Sequence, residues 1–264
     1  MAFTRTLASA ALSAALLPFS PVAGAVVITP SALGGWTPDV TGTGVTAITT
    51  AFPRNGDGSI EITLPDTSAE VDWSYTLPTP VPLSAFTTAS YDYYRDAAST
   101  NPAIQAPSYA FYIDADCNSA TTNDRSFLIY EPYYQTNSNA PTNTWVTSAI
   151  TPSSLVWQTG IAWSSQPISA YMNGTATGGT AIRGSSCITD IVAFAGSGWA
   201  GRFHGAIDNI TFSASPAGQI VSANFETRAA AEATAVPTLG PAATAGLALL
   251  LAALVAAHRR RRPG

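Results

Sequence analysis

Asp114-Ala115-Asp116-Cys117-Asn118 sets oxygen-bearing side chains at alternate positions, and Asn123-Asp124 brings two more a few residues later. Carboxylate and amide oxygens in such a run suit a hard ion such as Ca²⁺. The EF-hand pattern does not fit, because Ser119 stands where that turn takes Gly and Arg125 where it takes a bidentate Glu. The expectation is an irregular, structural calcium loop built from Asp114, Asp116, Asn118 and Asp124, with an ordinary polar β-turn as the alternative.

Aromatic side chains are the second source of chemistry. Flat rings match the apolar C–H face of a pyranose while nearby Asn and Asp take its hydroxyls. Most of the six Trp must fill a core in a chain of this size. Tyr133 and Tyr134, in the Pro-broken segment Glu131-Pro132-Tyr133-Tyr134-Gln135, are the expected ligand-facing rings, together with Trp199.

Catalysis has less to draw on. His204 is the one His between residues 26 and 235, and no nucleophile-elbow signature accompanies it. Acid pairs such as Asp114/Asp116 or Asp92/Asp96 would serve a glycosidase only at a set separation, which spacing along the chain does not give. The reading is a non-catalytic protein, with no catalytic residue assigned and a glycan hydrolase as the rival.

Charge narrows the partners. All 11 basic residues are Arg, and six of them lie in residues 26–235 with all 16 acids, so that segment carries 6 − 16 = −10. Nucleic acid is an unsuitable partner for such a surface. Without Lys, Schiff-base chemistry and isopeptide cross-links drop out. The two Cys, Cys117 and Cys187, are expected to pair in an oxidising compartment.

The ends read as addresses. Arg5, an apolar stretch and Val22-Ala23-Gly24-Ala25 predict a signal peptide over residues 1–25. Residues 239–257 form an apolar run followed by His258 and four Arg, which predicts a transmembrane helix whose basic end stays cytoplasmic. Residues 229–235 read as a spacer. Val236-Pro237-Thr238-Leu239-Gly240-Pro241, then the apolar run and the Arg cluster, resembles the bacterial exosortase-type sorting signals of the PEP-CTERM and IPTL-CTERM class. That resemblance covers the last thirty residues or so and implies a membrane-embedded processing enzyme as partner; a plain membrane anchor is the alternative.

Between the ends, short runs rich in Val, Ile, Thr, Tyr and Phe alternate with Gly, Pro, Asn and Asp clusters, and no convincing amphipathic helical period appears. Strands are predicted over residues 44–52, 59–64, 70–77, 86–94, 108–114, 126–131, 144–149, 188–195 and 203–213. Tyr109, Phe111 and Ile113 share one face of their strand, as Ile60, Ile62 and Leu64 do of theirs, so one face is expected buried and the other wet. Gly56 and Gly58 are expected to supply positive φ for a tight turn into residue 59. Pro78, Pro80 and Pro82 should force residues 76–82 to an edge or a crossing between sheets. Residues 26–228 thus read as an all-β sandwich ectodomain.

Residues 198–211, Gly198-Trp199-Ala200-Gly201-Arg202-Phe203-His204-Gly205-Ala206-Ile207-Asp208-Asn209-Ile210-Thr211, followed by Asn224-Phe225-Glu226, are similar to the closing strands of bacterial surface jelly-roll domains. Those are related in outline to concanavalin-like and galactose-binding-like sandwiches, many of which bind sugars. The resemblance implies a jelly-roll ectodomain, a structural calcium near Asp208, and an exopolysaccharide or surface glycan as partner.

Overall fold

The computed structural model describes residues 24–177, 182–196 and 198–229. The predicted signal peptide falls almost wholly outside the described residues, as do the sorting motif Val236, Pro237, Thr238 and Leu239 and the apolar run 239–257. Among the described residues no helix is long and apolar enough to cross a membrane.

Among the described residues fourteen strands form two seven-stranded sheets. The first holds β1 (Val26–Ile28), β3 (Val45–Thr49), β4 (Ser59–Leu64), β6 (Phe86–Arg95), β9 (Trp145–Ile150), β13 (Phe203–Ala214) and β14 (Gly218–Phe225). The second runs in the order β11 (Ser165–Pro167), β10 (Leu155–Gln158), β8 (Arg125–Tyr130), β7 (Ser108–Asp114), β12 (Cys187–Gly196), β5 (Glu70–Pro82) and β2 (Trp36–Thr41). All pairings are antiparallel except β1 with β14.

Every predicted strand is present, and β4 and β7 begin and end at the predicted residues. Five strands, β14 among them, escape a reading by pattern. β1 and β11 are three residues long, β10 is four, and β2 carries Pro38 and Asp39, which strands seldom hold except at an edge; β2 is the edge of its sheet. Residues 76–82 do continue β5, but β2 accompanies β5 only as far as Tyr75, so the three prolines sit on an open edge as expected. Two five-residue helices, α1 (Pro132–Thr136) and α2 (Ile168–Met172), are too short to show a period, and α1 replaces the loop expected there.

The sheets close on an aromatic core. Phe225 of β14 meets Trp36 and Trp73 edge-on with centroids 5.3 and 5.6 Å away. Phe86, Phe111 and Phe212 form a second group, and buried Tyr91 keeps its hydroxyl satisfied at Pro107 O, 2.6 Å away. Cys117 and Cys187 are joined in a disulfide, as the sequence predicted.

Long β13 is the spine of the first sheet. Its first half pairs with β4 and its second half with β14, while β6 follows its other side. The register against β6 shifts between Asp208 and Thr211, at Asn209, whose φ is +51°. Asn tolerates that left-handed conformation better than branched residues do. The bulge lets Asp208 and Ile210 point to opposite faces of the sheet without regular alternation between them.

Candidate functional site

The strictest departure from alternation lies in the second sheet. In β7, β8 and β12 the inward residues Tyr109, Phe111, Leu128, Ile191 and Ala193 are apolar, as a core requires, but Ala110, Ile129 and Val192 on the other face are apolar and buried too. Phe127, Trp157 and Phe194 pack against them. In register, Val192 pairs with Ala110, Ala110 with Ile129, and Ile129 with Trp157, so one apolar row crosses four strands on the side turned away from the core. The expectation of a wet outer face fails here, because the outer row forms the floor of a groove.

That groove has a cavity volume of about 250 Å³. Phe127, Phe194, Trp157 and Trp199 supply its rings, and Glu70, Asp72 and Glu131 its carboxyl groups. Trp157 Nε1–H donates to Glu131 Oε1 at 2.9 Å, which fixes the indole against the floor. Trp199 stands at the rim, held edge-on by Phe203 at 5.3 Å. A second hollow of about 410 Å³ lies on the same sheet toward the disulfide, lined by Tyr112, Asp190 and Arg125 among others. A tilted contact of the Tyr112 and Phe127 rings, centroids 4.7 Å apart, links the two.

The carboxyl groups are electrostatically stressed. Burial, then Glu70 and Asp39, push the Asp72 carboxyl up to about 7. Burial and Asp39 raise Glu70, and burial raises Glu131 against the lowering effect of the Trp157 bond. A folded-state value above the unfolded one means that the native chain holds the extra proton between about pH 4 and pH 7, so stability from this group falls as pH rises through that window and levels off above it. Asp72→Asn is therefore expected to stabilise the protein at pH 8 by on the order of 1 to 2 kcal/mol, with the gain vanishing below about pH 4, the partly exposed carboxylate giving less than its full shift. Denaturant midpoints of both proteins at pH 4, 6 and 8 check this; parallel profiles would contradict it.

The separations bear on hydrolysis. Asp72 is opposite Phe194, Phe194 opposite Ser108, and Glu131 follows the residue paired with Tyr109, so three strand spacings of about 4.8 Å, or about 14 Å, divide the backbones of Asp72 and Glu131. Glycosidase carboxyls bracket one bond at about 5 to 9.5 Å. Glu70, Asp72 and Asp39 are closer but share one wall. The acid pairs considered from sequence are engaged elsewhere: Asp92 accepts from Arg54, Thr147 and Asn209, and Asp96 lies 3.6 Å from His204 Nδ1. His204 is held on its other nitrogen by Glu61 at 2.8 Å, with no Ser aligned as a nucleophile.

Of the ring residues chosen from sequence, only Trp199 reaches the groove. Tyr133 lines a separate hollow between α1 and β9, and Tyr134 packs against exposed Trp163 with centroids 5.3 Å apart. Trp157, Phe127 and Phe194 were missed. The signal that marks them is the double-sided apolar pattern of Ser126-Phe127-Leu128-Ile129-Tyr130 and Ile191-Val192-Ala193-Phe194.

Two carboxylate clusters bear on a cation. Asp114, Asp116 and Asp124 do converge, with one oxygen of each lying within 4.8 Å of the others. Asp124 Oδ2 accepts from Asp116 N–H, and Thr121 donates to Asp116. Asn118 joins through its backbone N–H, which reaches Asp114 and Asp116, while its side-chain oxygen turns away to Ala120 N–H. Arg125 Nη2, 3.9 Å from Asp114 Oδ2, offsets part of the charge.

The second cluster lies on the outer face of the first sheet, beneath the 50–58 loop. Asp208 is 0% exposed, and its Oδ1 accepts Phe225 N–H at 2.8 Å while its Oδ2 has no partner among the described residues. Buried Glu226 accepts from Asp57 and Gly58 N–H and from the Asn224 side chain, whose own oxygen is left without a partner. Asp92 makes the third buried carboxylate, and Arg54 is the cation bonded to it, at 2.9 Å. Burial, with Glu226 and Asp92 adding to it, pushes Asp208 up to about 8 against two backbone N–H bonds. The positive φ expected of the glycines here falls on Asn55 at +56°. A Cβ on Gly56 would lie 1.9 Å from Glu226 Oε1, so that glycine is needed for close approach.

Neither a protein-family model nor a curated protein matches the chain. Among solved structures it is similar to the family 11 carbohydrate-binding module of cellulosomal cellulase Lic26A-Cel5E of Clostridium thermocellum, at 12% identity and a TM-score of 0.38, over 69% of this chain and 88% of that one. It is also similar to β-1,2-glucanase from Parabacteroides distasonis, at 11% identity and a TM-score of 0.39, over 69% of this chain and 23% of that one. A third likeness is the glycoside hydrolase domain Endo-D from Streptococcus pneumoniae R6, at 12% identity and a TM-score of 0.34, over 67% of this chain and 21% of that one.

Proposed function

We propose that this chain is an exported, non-catalytic glycan-binding protein whose jelly-roll sandwich takes an oligosaccharide on the outer face of its second sheet. The observation that carries the reading is the apolar row Val192–Ala110–Ile129–Trp157 with carboxyl groups at its margins that no Arg in the lining neutralises, a floor for sugar rings with acceptors for their hydroxyls. The roughly 14 Å between the Asp72 and Glu131 backbones, with the Glu131 carboxyl tied to Trp157, supports binding over cleavage. The disulfide supports an oxidising, extracytoplasmic location. On the same reading, the signal peptide is removed and residues 236–264 hand the protein to a membrane-embedded sorting enzyme, for delivery to the cell surface or exopolysaccharide. The mass of the mature protein tests both cleavages: one ending near residue 235 supports them, and a full-length mass contradicts them. Retained binding with no release of reducing sugar from a glycan panel supports the non-catalytic reading; turnover lost on Asp72→Asn favours a hydrolase instead.

A structural Ca²⁺ belongs to this reading, and the cluster of Asp208, Glu226 and Asn224 fits it best. Three buried carboxylates face one Arg, and two oxygens have no donor. Calcium would neutralise that excess and clamp the 50–58 loop onto β13 and β14. The loop of Asp114, Asp116 and Asp124 is the alternative: it is more open to solvent, but its three carboxylates each place an oxygen within 4.8 Å of the others. Millimolar calcium is expected to raise the melting midpoint by about 5 to 10 °C over chelator. Asp208→Asn should abolish the rise and Asp116→Asn preserve it; the reverse pattern would assign the ion to the loop, and an unchanged midpoint would remove it.

A further inference from the structure

The groove's polar lining is one-sided. Asp39 faces Asp72 directly in register, and Glu70 follows on the same face of β5, so three carboxyls share one wall. Glu131 stands on the opposite side. No Arg lines the groove, and the chain has no Lys to provide another cation. Two side-chain donors in the lining are already committed, Trp157 N–H to Glu131 and the Ser108 hydroxyl to Ala106 O, which leaves the Trp199 N–H and the Thr159 hydroxyl against three carboxyl groups. What the groove presents outward is therefore an aromatic floor flanked by carboxyl oxygens that outnumber its free donors and that no basic side chain in the lining neutralises.

Complementarity to such a surface calls for a donor-only, positively charged substituent on a flat ring. Hydroxyl groups donate and accept equally, and a uronate or sulfate would meet carboxylates. An ammonium carries three donors and no lone pair. Resting on the reading of the groove as a glycan site, we infer that it selects a polymer of amino sugars bearing free, protonated amines over acetylated, neutral or acidic glycans.

Isothermal titration of the full chain with hexasaccharides of β-1,4-glucosamine, β-1,4-N-acetylglucosamine, β-1,4-glucose and galacturonic acid tests this. The glucosamine hexamer is expected to bind about tenfold more tightly than the acetylated or neutral ones, with the preference shrinking as salt is raised. The double variant Asp72→Asn/Glu70→Gln should lose the preference, its affinity for the glucosamine hexamer falling to that for the neutral one, with a melting midpoint no lower than the parent's as the check on folding. Equal binding of the amino, acetyl and neutral hexamers, all weakened by Trp157→Ala, would overturn the inference and leave the glycan reading standing. So would tightest binding of the galacturonate. Hexalysine binding as tightly as the glucosamine hexamer and ignoring Trp157→Ala would overturn it as charge attraction alone. Binding of none of these probes would remove both.

Discussion

Trp157→Ala is expected to weaken oligosaccharide binding about a hundredfold, the loss of roughly 2 to 3 kcal/mol that follows when a central aromatic anchor is removed. Two effects combine. The indole supplies the broadest flat face over the apolar row, and its N–H holds Glu131 at 2.9 Å, so truncation removes the stacking surface and releases a carboxyl group together. Tyr134→Ala gives the control. Its ring packs on Trp163 away from the groove, and binding should be unchanged. Fluorescence titration of the two variants against the parent checks both statements; loss with Tyr134→Ala and retention with Trp157→Ala would move the site to α1.

The second large effect is on stability. Converting Cys117 and Cys187 to Ser opens a cross-link between residues 70 positions apart, and the chain-entropy model gives a loss of about 4 kcal/mol. For a domain of this size that corresponds to a fall of about 10 to 15 °C in melting midpoint. The position of the bond adds a local consequence. Cys117 sits at φ +59° inside the loop that carries Asp114, Asp116 and Asp124, and Cys187 opens β12 beside Asp114. Without the cross-link that loop is tethered mainly by its own hydrogen bonds, so amide exchange there should rise before exchange in β7 itself. Calorimetry of the double Ser variant, and of the parent with reductant, measures the effect. A midpoint within two degrees of the parent would contradict it.

The fold was legible because a sandwich writes its core with period two. Tyr109, Phe111 and Ile113, or Ile60, Ile62 and Leu64, announce one buried face each, and the prolines of residues 76–82 announce an edge. The convergence of Asp114, Asp116 and Asp124 was legible for a related reason: neighbours at alternate positions on one turn stay neighbours in space. The groove was not, since Trp157, Phe127 and Phe194 come from three strands far apart in the chain, and only their cross-strand register brings them together. Outward apolar residues in β8 and β12 carried a trace of it, but such runs read equally well as strands buried on both sides. The pairing of Asp208 with Glu226 was half visible. Both residues stand in the segments similar to jelly-roll closing strands, yet their shared burial depends on the 50–58 loop folding over them, which neither strand specifies.

The most direct test is amide hydrogen exchange of the full chain with and without a saturating oligosaccharide from the hexamer panel. Protection concentrated on β5, β7, β8, β10 and β12, with a change in Trp157 fluorescence, is the expected result. Protection confined to the first sheet or to α1, with the second sheet unaffected, would contradict the proposed surface.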